Sequence, residues 1–151
     1  MKMIANKSTS IRLPVFYLLL IFISIFTTNC TVQFVARYDE AVKNDIIHIS
    51  SEVDKFYSRL LETDVNERTY NRFREEYLEI ESDIRTLLTK NQIRPLNDES
   101  TKQTENALKL WLDDKDTHKK NNTVSDFIIN SHRSQFQRLF VAMAKGEQAK
   151  Q

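Results

Sequence analysis

The chain predicts an all-α fold, an up-down-up-down four-helix bundle behind an N-terminal signal or anchor segment. Three observations lead there. Only one Gly and two Pro occur in 151 residues, apolar residues recur every three or four positions beyond residue 34, and a basic start is followed by a short, dense apolar run. One glycine, Gly146 near the C-terminus, excludes Gly-rich phosphate loops and dinucleotide fingerprints and leaves little material for tight β-hairpins. One cysteine excludes an internal disulfide framework and any multi-cysteine zinc site.

Residues 1–29 form the first unit and 30–151 the second. Lys2, Lys7 and Arg12 precede Leu13 to Phe26, an apolar run of fourteen residues, LPVFYLLLIFISIF. A positive flank and a short apolar centre mark a secretory signal, with the basic side staying cytoplasmic. A full span needs about 20 residues, which this run reaches only by absorbing polar ones such as Thr27, Thr28 and Asn29. Cys30 follows where a signal peptidase cuts. Here the chain resembles a bacterial lipoprotein precursor, with Thr27-Thr28-Asn29-Cys30 in the place of the lipobox, although Thr27 and Asn29 stand where that family prefers an aliphatic and a small residue. The resemblance implies that Cys30 becomes the first mature residue and the site of lipid attachment, carrying acyl chains such as palmitate. Left uncut and extended to Ala36, the same segment is a single anchor of the same orientation. Either way the second unit is membrane-attached and faces the periplasm. Thr31 is not the Asp that favours inner-membrane retention in enterobacterial lipoproteins, so the outer membrane is favoured over the inner.

Removing the leader takes the basic residues from 22 to 19 against 21 acids, a net charge of −2. No concentrated basic face remains to neutralise phosphates, so nucleic acid is not an expected partner.

The first helix is expected from about Val35 to Leu61, with a stripe of Val35, Tyr38, Val42, Ile46, Ile49, Val53, Phe56 and Leu60. The polar segment 62–66 reads as a reversal. The second helix runs from about Glu67 to Leu88, on a stripe of Tyr70, Phe73, Tyr77, Ile80, Ile84 and Leu87. The stretch from Lys90 to Glu99 is a joint, because Pro95 lacks an N–H and disfavours helix at Arg94. Ser100 with Gln103 fits a capping box opening a third helix at about 101–119, whose buried edge is Ala107, Leu108, Trp111 and Leu112. The run His118 to Asn122 breaks it. Thr123 with Asp126 fits another cap, and a fourth helix carries Val124, Phe127, Ile128, Phe136, Leu139, Phe140 and Met143 to about Lys145, with Gly146 as terminator. Short joints make neighbours antiparallel. The alternative is three packed helices with the first projecting as a stalk.

Tyr38-Asp39-Glu40, Phe56-Tyr57, Arg94-Pro95-Leu96-Asn97, His118, and Arg133 with Phe136 together resemble a group of small uncharacterised proteobacterial lipoproteins with a helical mature domain. The resemblance spans roughly residues 34–150 and implies fold and placement but no activity.

Sites of chemistry are sparse. A di-iron bundle needs two Glu-x-x-His pairs, and Asp45-x-x-His48 occurs once. Asp114 and His118, four apart, read as an exposed pair. Asp113-Asp114-Lys115-Asp116 lacks the framework of a calcium loop and reads as a solvated helix end. Glu75-Glu76 and Glu79-Glu81 read as surface ion pairing. No catalytic, metal or cofactor residue is expected. Most aromatics should fill the core, while Tyr57, Tyr70 and Trp111 each need a polar partner. The expected role is structural or protein-interacting in the bacterial envelope, with an envelope protein as partner. The alternative is a ligand-sensing bundle on an uncut anchor, for which a polar pocket between helices is the signature.

Overall fold

A computed structural model describes residues 33–151. The expected signal segment, 1–29, and Cys30 lie outside the described residues. Among the described residues no helix is long and apolar enough to cross a membrane.

Four helices of similar length follow one another: α1 (Glu40–Glu62), α2 (Tyr70–Gln92), α3 (Asp98–Asn121) and α4 (Asp126–Gln148). At 1.5 Å per residue each is about 35 Å long. Contacts between opposite termini show that every sequence neighbour runs antiparallel, as does α4 against α1. Lys90 Nζ meets Asp45 at 2.6 Å, Asn91 Nδ2 donates to Thr104 Oγ1 at 2.9 Å, and Arg133 grips Asp54 through Nε and Nη2 at 2.7 and 2.9 Å. The up-down-up-down bundle is thus as expected, and the projecting stalk is not what forms. Val42, Ile46, Ile49, Val53, Phe56, Tyr57 and Leu60 of α1 are all buried. Packing is most extensive between α1 and α4 and between α2 and α3, and among neighbouring helices it is least between α3 and α4.

The helix starts differ from the sequence reading, each for a local reason. Asp39, not a residue near Val35, opens α1: its carboxylate accepts from Ala41 N and Val42 N at 2.9 and 3.2 Å, satisfying free donors of the first turn. Val35 therefore precedes the helix and is exposed. A 3-10 turn at Val65–Glu67 precedes α2, whose first N–H, that of Tyr70, donates to Asn122 Oδ1 of the α3–α4 joint at 3.0 Å. The expected capping box at Ser100 does not form. Helix α3 begins three residues earlier, behind Asn97, so Ser100 sits within the first turn and its hydroxyl takes Lys150 Nζ at 2.8 Å. Asn97 caps nothing with its side chain because both ends of its amide are engaged elsewhere: Nδ2 donates to Asn91 O and Oδ1 at 3.0 and 2.9 Å, and Oδ1 accepts from Lys150.

Past His118, α3 continues to Asn121 and stops at Asn122, which turns left-handed (φ 53°) and returns its N–H to the His118 carbonyl at 2.7 Å. Ser125 rather than Thr123 caps α4, accepting from Ile128 N at 3.4 Å, and Thr123 donates instead to the Val65 carbonyl. Gly146 does not terminate α4; the helix passes through it to Gln148. The buried register of α4 is Ile129, Phe136, Phe140, Met143 and Glu147, so Phe127, expected on the stripe, points to solvent, and Val124, Ile128 and Leu139 are only partly covered. Leu112 likewise is half-buried.

Aromatic rings from all four helices form one layer at mid-bundle. Phe56 lies 4.6 Å from Tyr77 and 5.1 Å from Trp111, and Trp111 lies 5.8 Å from Phe136, at the steep interplanar angles that suit ring quadrupoles. Trp111 is 0% exposed and gives its indole N–H to the Tyr77 carbonyl at 3.0 Å.

Each end of the bundle is closed by a buried charge. At the far end from residue 34, Arg68 donates from Nε to Thr63 O at 2.8 Å and from Nη2 to Leu61 O at 3.3 Å, answering the free carbonyls of α1, and its Nη1 reaches Val124 O and Asp126. At the near end, Glu147, 1% exposed, accepts from Asp39 N at 2.9 Å, from Arg94 Nη2 at 2.8 Å and from Lys150 Nζ at 2.5 Å. Burial alone would raise its pKa; Arg94, Lys150 and the Asp39 N–H outweigh that and hold it below the usual value.

Replacing Phe56 with Ala is expected to cost about 3–5 kcal/mol in urea unfolding, through lost burial and the cavity left in the aromatic layer. Glu147→Ala should cost about 3–5 kcal/mol in the same assay, because Arg94 and Lys150 remain poorly solvated without their partner.

Candidate functional site

Where α3 and α4 pack least, a cleft of about 540 Å³ opens between them, within the range of small-molecule sites. Its centre is Asp114, which sequence reasoning placed on a solvated helix end. The half-buried carboxylate accepts from the Tyr57 hydroxyl on Oδ2, and His132 Nδ1 lies 2.8 Å from Oδ1. Burial pushes the Asp114 pKa up, and the bonds to Tyr57 and His132 oppose that rise. Burial, with the Asp114 charge beside it, raises the Tyr57 phenol well above its ordinary value, so it stays a donor. With Nδ1 turned to Asp114, Nε2 is the His132 nitrogen left to meet a ligand.

His118 lies deeper in the same wall. The expected pairing with Asp114 does not occur. Its ring is 1% exposed, Nε2 faces the Arg68 carbonyl at 2.8 Å, and Nδ1 meets the Tyr77 hydroxyl at 3.2 Å. A carbonyl can only accept, so Nε2 carries the proton and Nδ1 accepts from Tyr77. Burial lowers the His118 pKa, the Arg68 carbonyl partly offsetting it, and the neutral ring is a structural strut between α2, α3 and the α1–α2 joint.

The mouth of the cleft combines hydroxyls and an amide, from Thr117, Asn121, Thr123 and Ser125, with apolar Val124 and Ile128. This set suits a small polar molecule with an apolar edge. Two of the hydroxyls are engaged: Ser125 as a helix cap and Thr123 as a donor to the Val65 carbonyl.

A broader surface groove of about 750 Å³ lies between α1 and α2. His48 stands exposed there, 3.8 Å from Glu52, while Asp45 binds Lys90 rather than pairing with His48. Glu76 pairs with Arg59 across the two helices at 2.5 Å. The acids read as surface pairs are partly interhelical: Glu81 bridges Arg85 and Lys115 of α3, and burial, which alone would raise its pKa, is outweighed by these two cations. Among the described residues no group of three or more His, Cys, Asp or Glu side chains is placed to hold a metal ion.

Comparison with known protein families, with characterised proteins and with solved structures finds no match.

Of the expected polar aromatics, Tyr57 finds Asp114 and Trp111 finds a carbonyl. The sequence carried one usable sign of the cleft, the i,i+4 spacing of Asp114 and His118, but the two side chains turn to different partners, Asp114 to Tyr57 and His132 and His118 to Tyr77 and the Arg68 carbonyl. His132 joins the site only through α3–α4 packing.

The native pKa of His118 lies below its ordinary 6.5, so the unfolded chain binds a proton there that the native chain refuses. Stability from this group is complete above pH about 6.5 and declines as pH falls through that value toward the depressed native one. Urea midpoints measured between pH 7.5 and 5 should fall accordingly, and His118→Gln should flatten that window. Tyr57→Phe removes one of the two partners of Asp114 and should cost about 1–3 kcal/mol at neutral pH.

Proposed function

We propose that the chain is a membrane-attached helical-bundle protein of the bacterial envelope, lipid-anchored at Cys30 and facing the periplasm, with the outer membrane favoured. Its role is structural or protein-interacting, and it is not an enzyme. One observation supports an interaction role above others: at the end of the bundle away from residue 34, Phe127 is 79% exposed, and Val65 at the same end is exposed too, apolar side chains that the fold does not use. An exposed aromatic next to a polar-rimmed cleft is the composition of an interface anchor. Surface contact also fits the interior, where side-chain polar groups are almost all bonded to one another. Among the described residues only Glu76 Oε2 is buried without a partner.

The cleft favours the second reading, a ligand-sensing bundle on an uncleaved anchor. Asp114 and His132 meet across the two neighbouring helices that pack least, so a molecule seated between them changes the spacing of α3 and α4.

Mass spectrometry of the protein extracted from membranes distinguishes the attachments: an acylated Cys30 at the N-terminus is expected, and an intact Met1 indicates the uncut anchor. A photo-crosslinker placed at Phe127 should capture one defined envelope protein that a crosslinker at exposed Arg74 on α2 does not, and equal patterns from both positions count against an interface at this end. For sensing, a thermal-shift screen of small polar molecules should find a stabiliser whose effect disappears in folded His132→Ala; at 100 times its dissociation constant it should add about 2.7 kcal/mol.

A further inference from the structure

The near end of the bundle carries apolar side chains for which the fold has no use. Phe34 is 83% exposed, Ile93 77% and Leu96 55%. They form one patch, because Ala36 N donates to Leu96 O at 2.8 Å and the Arg94 guanidinium to the Arg37 carbonyl. Leu96 is the telling member. Its φ of 58° is left-handed, a conformation that glycine adopts freely and leucine does not, yet its side chain projects outward from the Arg94–Asn97 joint. A glycine there would serve the backbone better, so the leucine side chain answers to something outside the bundle.

We infer that this end, presenting Phe34, Ile93 and Leu96, rests in the lipid surface of the membrane that holds the N-terminus, so that the bundle stands on the bilayer instead of swinging on a tether. The inference rests on the membrane-attached reading. Three residues, four chain steps, separate Cys30 from Phe34, a reach of at most about 14 Å against a bundle about 35 Å long, so the tether brings this end to the bilayer and not the one bearing Phe127. Charge does not drive the contact: exposed Glu40, Asp98 and Glu99 lie at the same end as Arg37 and Lys102. Apolar insertion to headgroup depth does, as for interfacial helices.

The test uses the full chain in phosphatidylethanolamine–phosphatidylglycerol vesicles, with Cys30 acylated or, in an uncut chain, changed to Ser. An environment-sensitive fluorophore is placed at Gln92→Cys beside the patch, at Ile47→Cys on the flank of α1, or at Lys119→Cys near the far end. Spin-labelled lipid should quench the Gln92 reporter several-fold more than the other two, with little dependence on salt or phosphatidylglycerol content. The double variant Ile93→Ser, Leu96→Ser should keep the chain on the vesicles but lose that quenching. Leu96→Gly should reduce it while raising the unfolding temperature, which separates the role of the side chain from any damage to the fold. Equal quenching at Ile47 means that the bundle lies flat and overturns the inference. So does a Gln92 reporter in water, or one shielded from soluble quencher yet untouched by labelled lipid, which indicates a second copy or another protein on the patch. A chain that fails to float with vesicles at all overturns the membrane-attached reading itself, a result distinct from these.

Discussion

The bundle closes on the carboxylate of Glu147. It is the only fully buried acid among the described residues, and it receives the first N–H ahead of α1, the guanidinium of the α2–α3 joint and the ammonium of Lys150. An ion taken out of water is tolerated only when its lone pairs are answered, so three separate chain segments must converge on one point. That convergence sets α1 beside α4, fixes where α3 starts and holds Leu96 in its left-handed turn. Asn91, Asn97 and Thr104 extend the network across α2 and α3 with no bond to spare. Arg68 performs the corresponding task at the other end, where it gathers carbonyls from α1 and from the α3–α4 joint.

Between these two locks the interior divides. The aromatic layer of Phe56, Tyr77, Trp111 and Phe136 joins all four helices, but beyond it, toward Arg68, α3 and α4 diverge and polar groups fill the gap. Tyr57, Asp114 and His132 are held there by bonds to one another, as His118 is by Tyr77 and a carbonyl. A cleft whose polar groups are already satisfied is stable when empty.

Periodicity served the reading of sequence well where side chains repeat and poorly where one side chain decides. The stripes of α1 and α2 were legible because seven and five of their apolar positions respectively face one core. The stripe of α4 misled, since Phe127 and Ile128 match the spacing as well as Ile129 does, and only contact with the other helices selects among adjacent residues. Caps failed for a related reason: Ser100, Thr123 and Gly146 have the right chemistry at nearly the right place, but Ser100 is taken by Lys150, Thr123 by the Val65 carbonyl, and α4 runs on to bury Glu147, tertiary partners that outweigh local preference.

What the sequence by itself determined is the all-helical class, the number and order of the helices and the positions of their joints, because these follow from spacing, from Pro95 and from the near absence of glycine. What only the tertiary structure decided is which polar residues are interior. Glu147, Arg68 and His118 look like surface residues in a linear reading, and Asp114 looks like one charge in a run of four. Burial of a charged or polar group is worth having only when its partners arrive from distant positions, and no local pattern in the chain records that arrival.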